Sequence, residues 1–176
     1  MASPPNRLAR FLLISLLLPG GAAAQVREYD VKAAFLLNFT KIIEWPADAF
    51  ADASSPFGLC ILGQDPFGRA LDEVMKGETV AGRNIAIRRI SDLPEPQACQ
   101  IVFTTETGEE AVAGLRRLGP GVLTVADGEN FVREGGIIGF VIENRRVRFD
   151  INRTAAEAAG LKFSSKLFTV ARVVRK

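Results

Sequence analysis

The chain has no histidine among its 176 residues. That excludes Ser-His-Asp and Cys-His catalysis and histidine-ligated zinc, and it removes the commonest general base near neutral pH. Long apolar runs are missing too. The stretch from Phe11 to Leu18 has eight residues, where a membrane-spanning helix needs about 20, and no later run approaches that length. Cysteine is limited to Cys60 and Cys99. No cysteine lies near residue 25, so lipid attachment at a processed N-terminus is excluded.

What is present at the N-terminus reads as a secretory signal peptide over residues 1–24. Arg7 and Arg10 form the positive region and Phe11–Leu18 the apolar region. Pro19-Gly20-Gly21 breaks any helix, and Ala22-Ala23-Ala24 offers small side chains for cleavage before Gln25. The expected product, residues 25–176, is one domain with one core. The chain has 22 Lys and Arg against 20 Asp and Glu. Loss of Arg7 and Arg10 leaves the two signs balanced, which argues against a general nucleic-acid binder.

No internal repeat or linker follows Gln25. Val31, Ala34, Phe35, Leu36, Phe39, Ile42 and Ile43 fall at helical spacing, with Asp30 as expected N-cap and Pro46 as stop. Phe57–Leu62, Ile85–Ile90, Gln100–Thr104 and Val122–Val125 read as short strands. Between them, Asp65-Pro66 is expected to open a helix to Met75, and Thr107 with Glu110 a capping box for a helix to Leu118. A short helical turn is expected around Asn130–Arg133. Ile137–Ile142 and Val147–Ile151 form a hairpin signal. Thr154 with Glu157 reads as a second capping box, and Ser164 or Ser165 as the cap of a last helix to Val174. This alternation predicts an α/β fold: a three-layer α/β/α sandwich with a mainly parallel sheet and a C-terminal antiparallel hairpin.

Few motifs suggest chemistry. Gly63 to Gly68 has the glycine spacing of a phosphate loop, but Arg69-Ala70 stands where Lys-Ser/Thr is required, so it reads as a strand-to-helix turn. Asp127-Gly128-Glu129-Asn130 is rich in oxygen ligands without the spacing of a calcium loop. Neither a catalytic residue, a metal site nor a cofactor site is read from the sequence. A basic cluster is the candidate binding feature: Arg145, Arg146 and Arg148 on the hairpin, followed by Lys162, Ser164, Ser165 and Lys166. Arg forks suit carboxylate and phosphate, and free N–H groups at a helix start suit an anion. The competing readings are a solvated edge that discourages aggregation and simple helix capping.

The two cysteines form a pair in a chain bound for an oxidising compartment, which reads as a disulfide. Both stand at the front of short buried strands, and parallel neighbours lie about 4.8 Å apart, within reach of a disulfide. Two buried free thiols are the competing reading.

The order of several segments resembles the YfiR-like family of periplasmic proteins. They are Val31-Lys32-Ala33-Ala34-Phe35-Leu36 leading to Trp45-Pro46, Leu59-Cys60-Ile61-Leu62-Gly63 with Asp65-Pro66-Phe67-Gly68, and Cys99 before Ile101-Val102-Phe103. Towards the end come Gly135-Gly136-Ile137-Ile138-Gly139-Phe140, Val147-Arg148-Phe149-Asp150-Ile151-Asn152, and Ala155-Ala156 through Ser164-Ser165-Lys166-Leu167. The resemblance implies a non-catalytic periplasmic regulator, dimeric, which holds an inner-membrane diguanylate cyclase inactive and so limits cyclic di-GMP and biofilm formation. It further implies release by an outer-membrane peptidoglycan-binding lipoprotein. The best-known member of the family has a second cysteine pair near the final hairpin, and Ile137–Ile151 here contains no cysteine. A sensor kinase in place of the cyclase, a periplasmic small-ligand binder and, least favoured, a hydrolase are the alternatives.

Overall fold

The computed structural model describes residues 20–176. Residues 1–19, most of the expected signal peptide, lie outside the described residues, and the expected cut before Gln25 falls inside the first helix. The elements in chain order are α1 (Gly20–Ile42), β1 (Ile43–Glu44), β2 (Phe57–Leu62), α2 (Arg69–Met75), β3 (Thr79–Val80), β4 (Arg83–Ile90), β5 (Ile101–Thr104), α3 (Glu109–Arg116), β6 (Leu123–Asp127) and α4 (Asn130–Arg133). They continue with β7 (Ile138–Glu143), β8 (Arg146–Asn152), α5 (Arg153–Ala158), β9 (Lys162–Phe163), α6 (Ser165–Val170) and β10 (Val173–Arg175). Among the described residues no helix is long and apolar enough to cross a membrane.

The main sheet has eight strands in the order β10-β8-β7-β6-β5-β2-β4-β3. Strands β4, β2, β5, β6 and β7 run parallel, while β8, β10 and β3 run the other way. The parallel strands are near-continuous apolar runs because both faces are covered. On one face Phe57, Leu59, Ile61, Ile101, Phe103, Leu123 and Val125 pack with Ala33, Leu36 and Phe39 of α1 and Leu71 and Met75 of α2. The alternate residues Cys60, Val102 and Ala126 pack with Val112 and Leu115 of α3 and Phe131 of α4. The three-layer α/β/α sandwich is therefore the observed architecture.

Helix α1 is held by aromatic contacts as well as by area. Phe35 and Phe39 meet Phe140 and Phe149 with ring centroids between 5.3 and 6.0 Å apart, the separation at which such pairs add to simple burial. Its lower end continues into β1, which pairs with β9 and ties the helix to the C-terminal region. Several expected helix boundaries differ. Asp30 is an exposed mid-helix residue and not an N-cap, because the turn before it is anchored by Tyr29, whose ring packs edge-on against Phe67 at 5.3 Å. The Asp65 carboxylate accepts from the N–H of Phe67 at 2.8 Å and closes a turn, so α2 begins four residues later. Gly108, not Thr107, precedes α3. Asn152 caps α5 by accepting from Ala155 N–H at 2.9 Å, ahead of the expected Thr154. The last helix ends at Val170, and the extended Ala171 turns the chain into β10, a strand the helical spacing had concealed.

Cys60 and Cys99 are joined, with Cα atoms 5.8 Å apart. Cys60 lies within β2, and Cys99 precedes β5 by two residues. Beside the bond, buried Gln100 accepts from Gly58 N–H at 2.7 Å and donates to the carbonyl of Ala49. The close approach requires glycine at 58: a Cβ there would stand 2.1 Å from the carbonyl oxygen of Ala98.

Candidate functional site

The carboxyl ends of β6 and β7 carry a chain of charged side chains. Lys32 projects from the sheet-facing side of α1, with its side chain 3% exposed. Its ammonium pairs with Glu28 one turn earlier and lies 2.7 Å from Asp127 Oδ1 at the end of β6. That second contact is a charge contact, since no hydrogen bond of good angle reaches Oδ1. The Tyr29 hydroxyl donates to Asp127 Oδ2 at 2.7 Å, and its ring faces the Lys32 ammonium at 4.3 Å. Burial, and then the neighbouring Asp127 carboxylate, hold the Tyr29 pKa well above that of a free phenol.

Two residues further on, Glu129 accepts from Arg172 at 3.2 Å. Arg172 turns its fork onto Asp150, Nε donating to Oδ1 at 2.8 Å and a terminal nitrogen to Oδ2. Asp150 is fully buried. The two hydrogen bonds it accepts from the guanidinium push the Arg172 pKa further up, burial opposes them, and the bond accepted by Glu129 adds to the rise. The loop Asp127-Gly128-Glu129 thus connects the N-terminal helix to the C-terminal segment. A cleft of about 420 Å³ opens above it, lined by Glu28, Lys32, Glu129, Ile142 and Arg172 among others.

The predicted binding residues are divided between two ends of the molecule. Asn144 and Arg145 form the hairpin turn, with φ of 50° and 60°, and Arg145 and Arg146 are exposed at its tip. Arg148 is half-buried on the face of β8 that also carries Asp150. Lys162 lies in β9 opposite Glu44. Ser164 occupies the cap position of α6 without a side-chain bond to it, and Ser165 and Lys166 are exposed behind it. Arg146 and Asn152 are the two ends of β8, about 20 Å apart at the rise of a strand. The Arg hairpin and the Lys162–Lys166 segment therefore form two surfaces, not one cluster.

The phosphate-loop mimic is a filled structural turn. Arg89 of β4 donates to Asp65 at 2.7 Å, to the carbonyl of Gly68 at 3.1 Å and to Asp72 at 2.6 Å, so a cation already occupies the loop. The parallel strands, in the order β4-β2-β5-β6-β7, switch direction of winding between β2 and β5, where open α/β sheets place ligands. The recess there is about 270 Å³, with Asp92, Glu106 and Glu110 among its lining residues. Among the described residues, no group of three or more Cys, Asp or Glu is placed to hold a metal ion.

The model of the YfiR/HmsC-like family matches residues 29–172. The chain belongs to this family. Members of the YfiR/HmsC-like family are in general periplasmic regulators of a diguanylate cyclase, and regulators rather than enzymes. Among curated proteins, no sequence matches this member of the family. Of solved structures, it is similar in fold to a conserved domain protein of Vibrio cholerae O1 biovar El Tor, with a TM-score of 0.52 at 10% identity. That likeness covers 84% of this chain and 60% of the Vibrio protein, so the chain spans about three fifths of that protein's length.

Reading the YfiR/HmsC-like sequence alone missed Lys32, Asp150 and Arg172 as site residues. One signal was available for Lys32: it precedes Leu36, Phe39 and Ile43 at the spacing of the buried stripe, where a charge requires a partner. Arg172 gave none, since its partner lies 22 residues away on a strand it meets only in the folded sheet.

Proposed function

We propose that this protein is a periplasmic repressor that binds the periplasmic domain of an inner-membrane diguanylate cyclase and so limits cyclic di-GMP and biofilm formation. Family membership over residues 29–172 carries the reading. The geometry supports it in one respect. Lys32 is occupied by Glu28 and Asp127, and Arg172 by Asp150 and Glu129, while the hairpin beside them offers Arg145, Arg146 and the 52% exposed Ile142 to solvent. The hairpin tip presents Ile142 on one face and Arg146, opposite Glu143, on the other, and its exposed guanidinium groups suit an acidic protein surface. Dimer formation and export with loss of residues 1–24 belong to the same proposal.

The test is a strain lacking the protein, complemented by wild type or by Arg146→Glu with Arg148→Glu. Cyclic di-GMP should rise in the deletion, fall with wild type and stay high with the double variant. A purified cyclase periplasmic domain should bind wild type only. Unchanged cyclic di-GMP in the deletion strain would sink the cyclase reading. Wild-type binding by the double variant would remove the hairpin from the interface.

A further inference from the structure

The face of the sheet that carries α3 is incompletely covered. The crossover from β6 to β7 contains only the single turn α4, Asn130–Arg133, where a doubly wound sheet ordinarily lays a full helix. A half-open groove of about 750 Å³ remains at the amino ends of β6 and β7, bounded by the end of α3, the α4–β7 turn and α5. Its walls are low, built from Gly119, Pro120, Gly135, Ala155 and Ala158, so a polypeptide backbone can approach closely.

Charge decides what fits. Arg116 lies across the α4–β7 turn, its Cδ 3.2 Å from where a Cβ on Gly135 would stand. Among the described residues no carboxylate pairs with it. Arg133 faces the same groove, 50% exposed and only 4.0 Å from Glu129 as its nearest acid. The one acidic side chain in the lining, Glu134, keeps its Oε2 buried away from the groove's solvent, so the open surface is dominated by the two guanidinium groups. We infer that this groove is a second docking surface, which takes an acidic segment of a partner protein, its carboxylates on Arg116 and Arg133. It lies at the opposite ends of the strands from the hairpin tip, so the two surfaces are separable by mutation.

The experiment measures fluorescence anisotropy of a labelled peptide of Glu-Ala-Leu repeats on the purified chain, with Lys-Ala-Leu and Gln-Ala-Leu versions as controls. The acidic peptide should bind, weaken with added salt, and outbind both controls. Arg116→Glu with Arg133→Glu should weaken it roughly tenfold, the scale of two charge contacts reversed. Ala158→Trp, which plugs the exposed wall of the groove without altering charge, should do the same. Arg146→Glu with Arg148→Glu should bind as wild type does, even where it has lost the cyclase domain. Circular dichroism and a thermal melt confirm folding. Where reversal at Arg133 melts α4, Ala158→Trp carries the test. Failure of the acidic peptide to bind, equal binding to wild type and Ala158→Trp, or equal competition by free glutarate (a small-anion pocket) would each overturn the assignment.

Discussion

Arg172→Met removes the only charged partner that Asp150 has among the described residues, while keeping most of the side chain's length. Asp150 is completely inaccessible to water, and two hydrogen bonds from one guanidinium are what compensate its charge. Taking one member from a buried pair costs about 3–5 kcal/mol, a large fraction of the total stability of a domain of this size. Urea denaturation of wild type and variant at pH 7 measures it, with equal m-values showing that the same surface is exposed. Asp150→Leu combined with Arg172→Met should recover most of the loss, since an apolar pair of similar volume replaces a desolvated one. A deficit below about 1 kcal/mol, or a double variant no more stable than Arg172→Met alone, would refute the reasoning.

Tyr29 is the single tyrosine of the chain, so absorbance at the phenolate band titrates it alone. Its midpoint should lie well above 10, and the stability its raised pKa confers should be intact below about pH 10 and lost as pH climbs through the folded-state value; a midpoint near 10 would remove the Asp127 contact. Reducing the Cys60–Cys99 bond, whose partners are 39 residues apart in sequence, should cost about 4 kcal/mol by the chain-entropy model, read as a shift in denaturation midpoint. Thiol counting on the unfolded, unreduced protein should find none, and two would contradict the bond. Gly58→Ala should destabilise by about 1–3 kcal/mol through its clash with the Ala98 carbonyl, seen as a lower melting temperature; a melt equal to wild type would show that the loop before Cys99 yields freely.

The sheet was legible because its parallel strands are short apolar runs with turn residues at their ends, and because Ile137–Ile142 and Val147–Ile151 alternate on either side of a polar turn. Helix starts were less legible. Asp30, Asp65, Thr107 and Thr154 all have capping chemistry, yet only the folded chain decides whether a carboxylate closes a turn, as Asp65 does, or whether Asn152 reaches the N–H first. β10 was hidden because Leu167, Val170 and Val174 are compatible with helical spacing, while its strand conformation comes from pairing with β8. The charged site shows the same dependence on tertiary contact. Asp127 and Glu129 stood out as oxygen-rich, but the cations that occupy them arrive from residues 32 and 172.

The placement of α1 has a consequence for how the chain comes to its fold. The helix is the earliest described element, yet Phe35 and Phe39 rest on Phe140 and Phe149, more than a hundred residues later. A polypeptide threaded N-terminus first emerges with an apolar helix whose seat does not yet exist, and closing so long a loop is slow. Until β8 follows, those phenylalanines are open to any other apolar surface nearby. The order in which the chain emerges and the order in which this helix can pack thus differ, and the interval between them is when its apolar face is most open to misassociation.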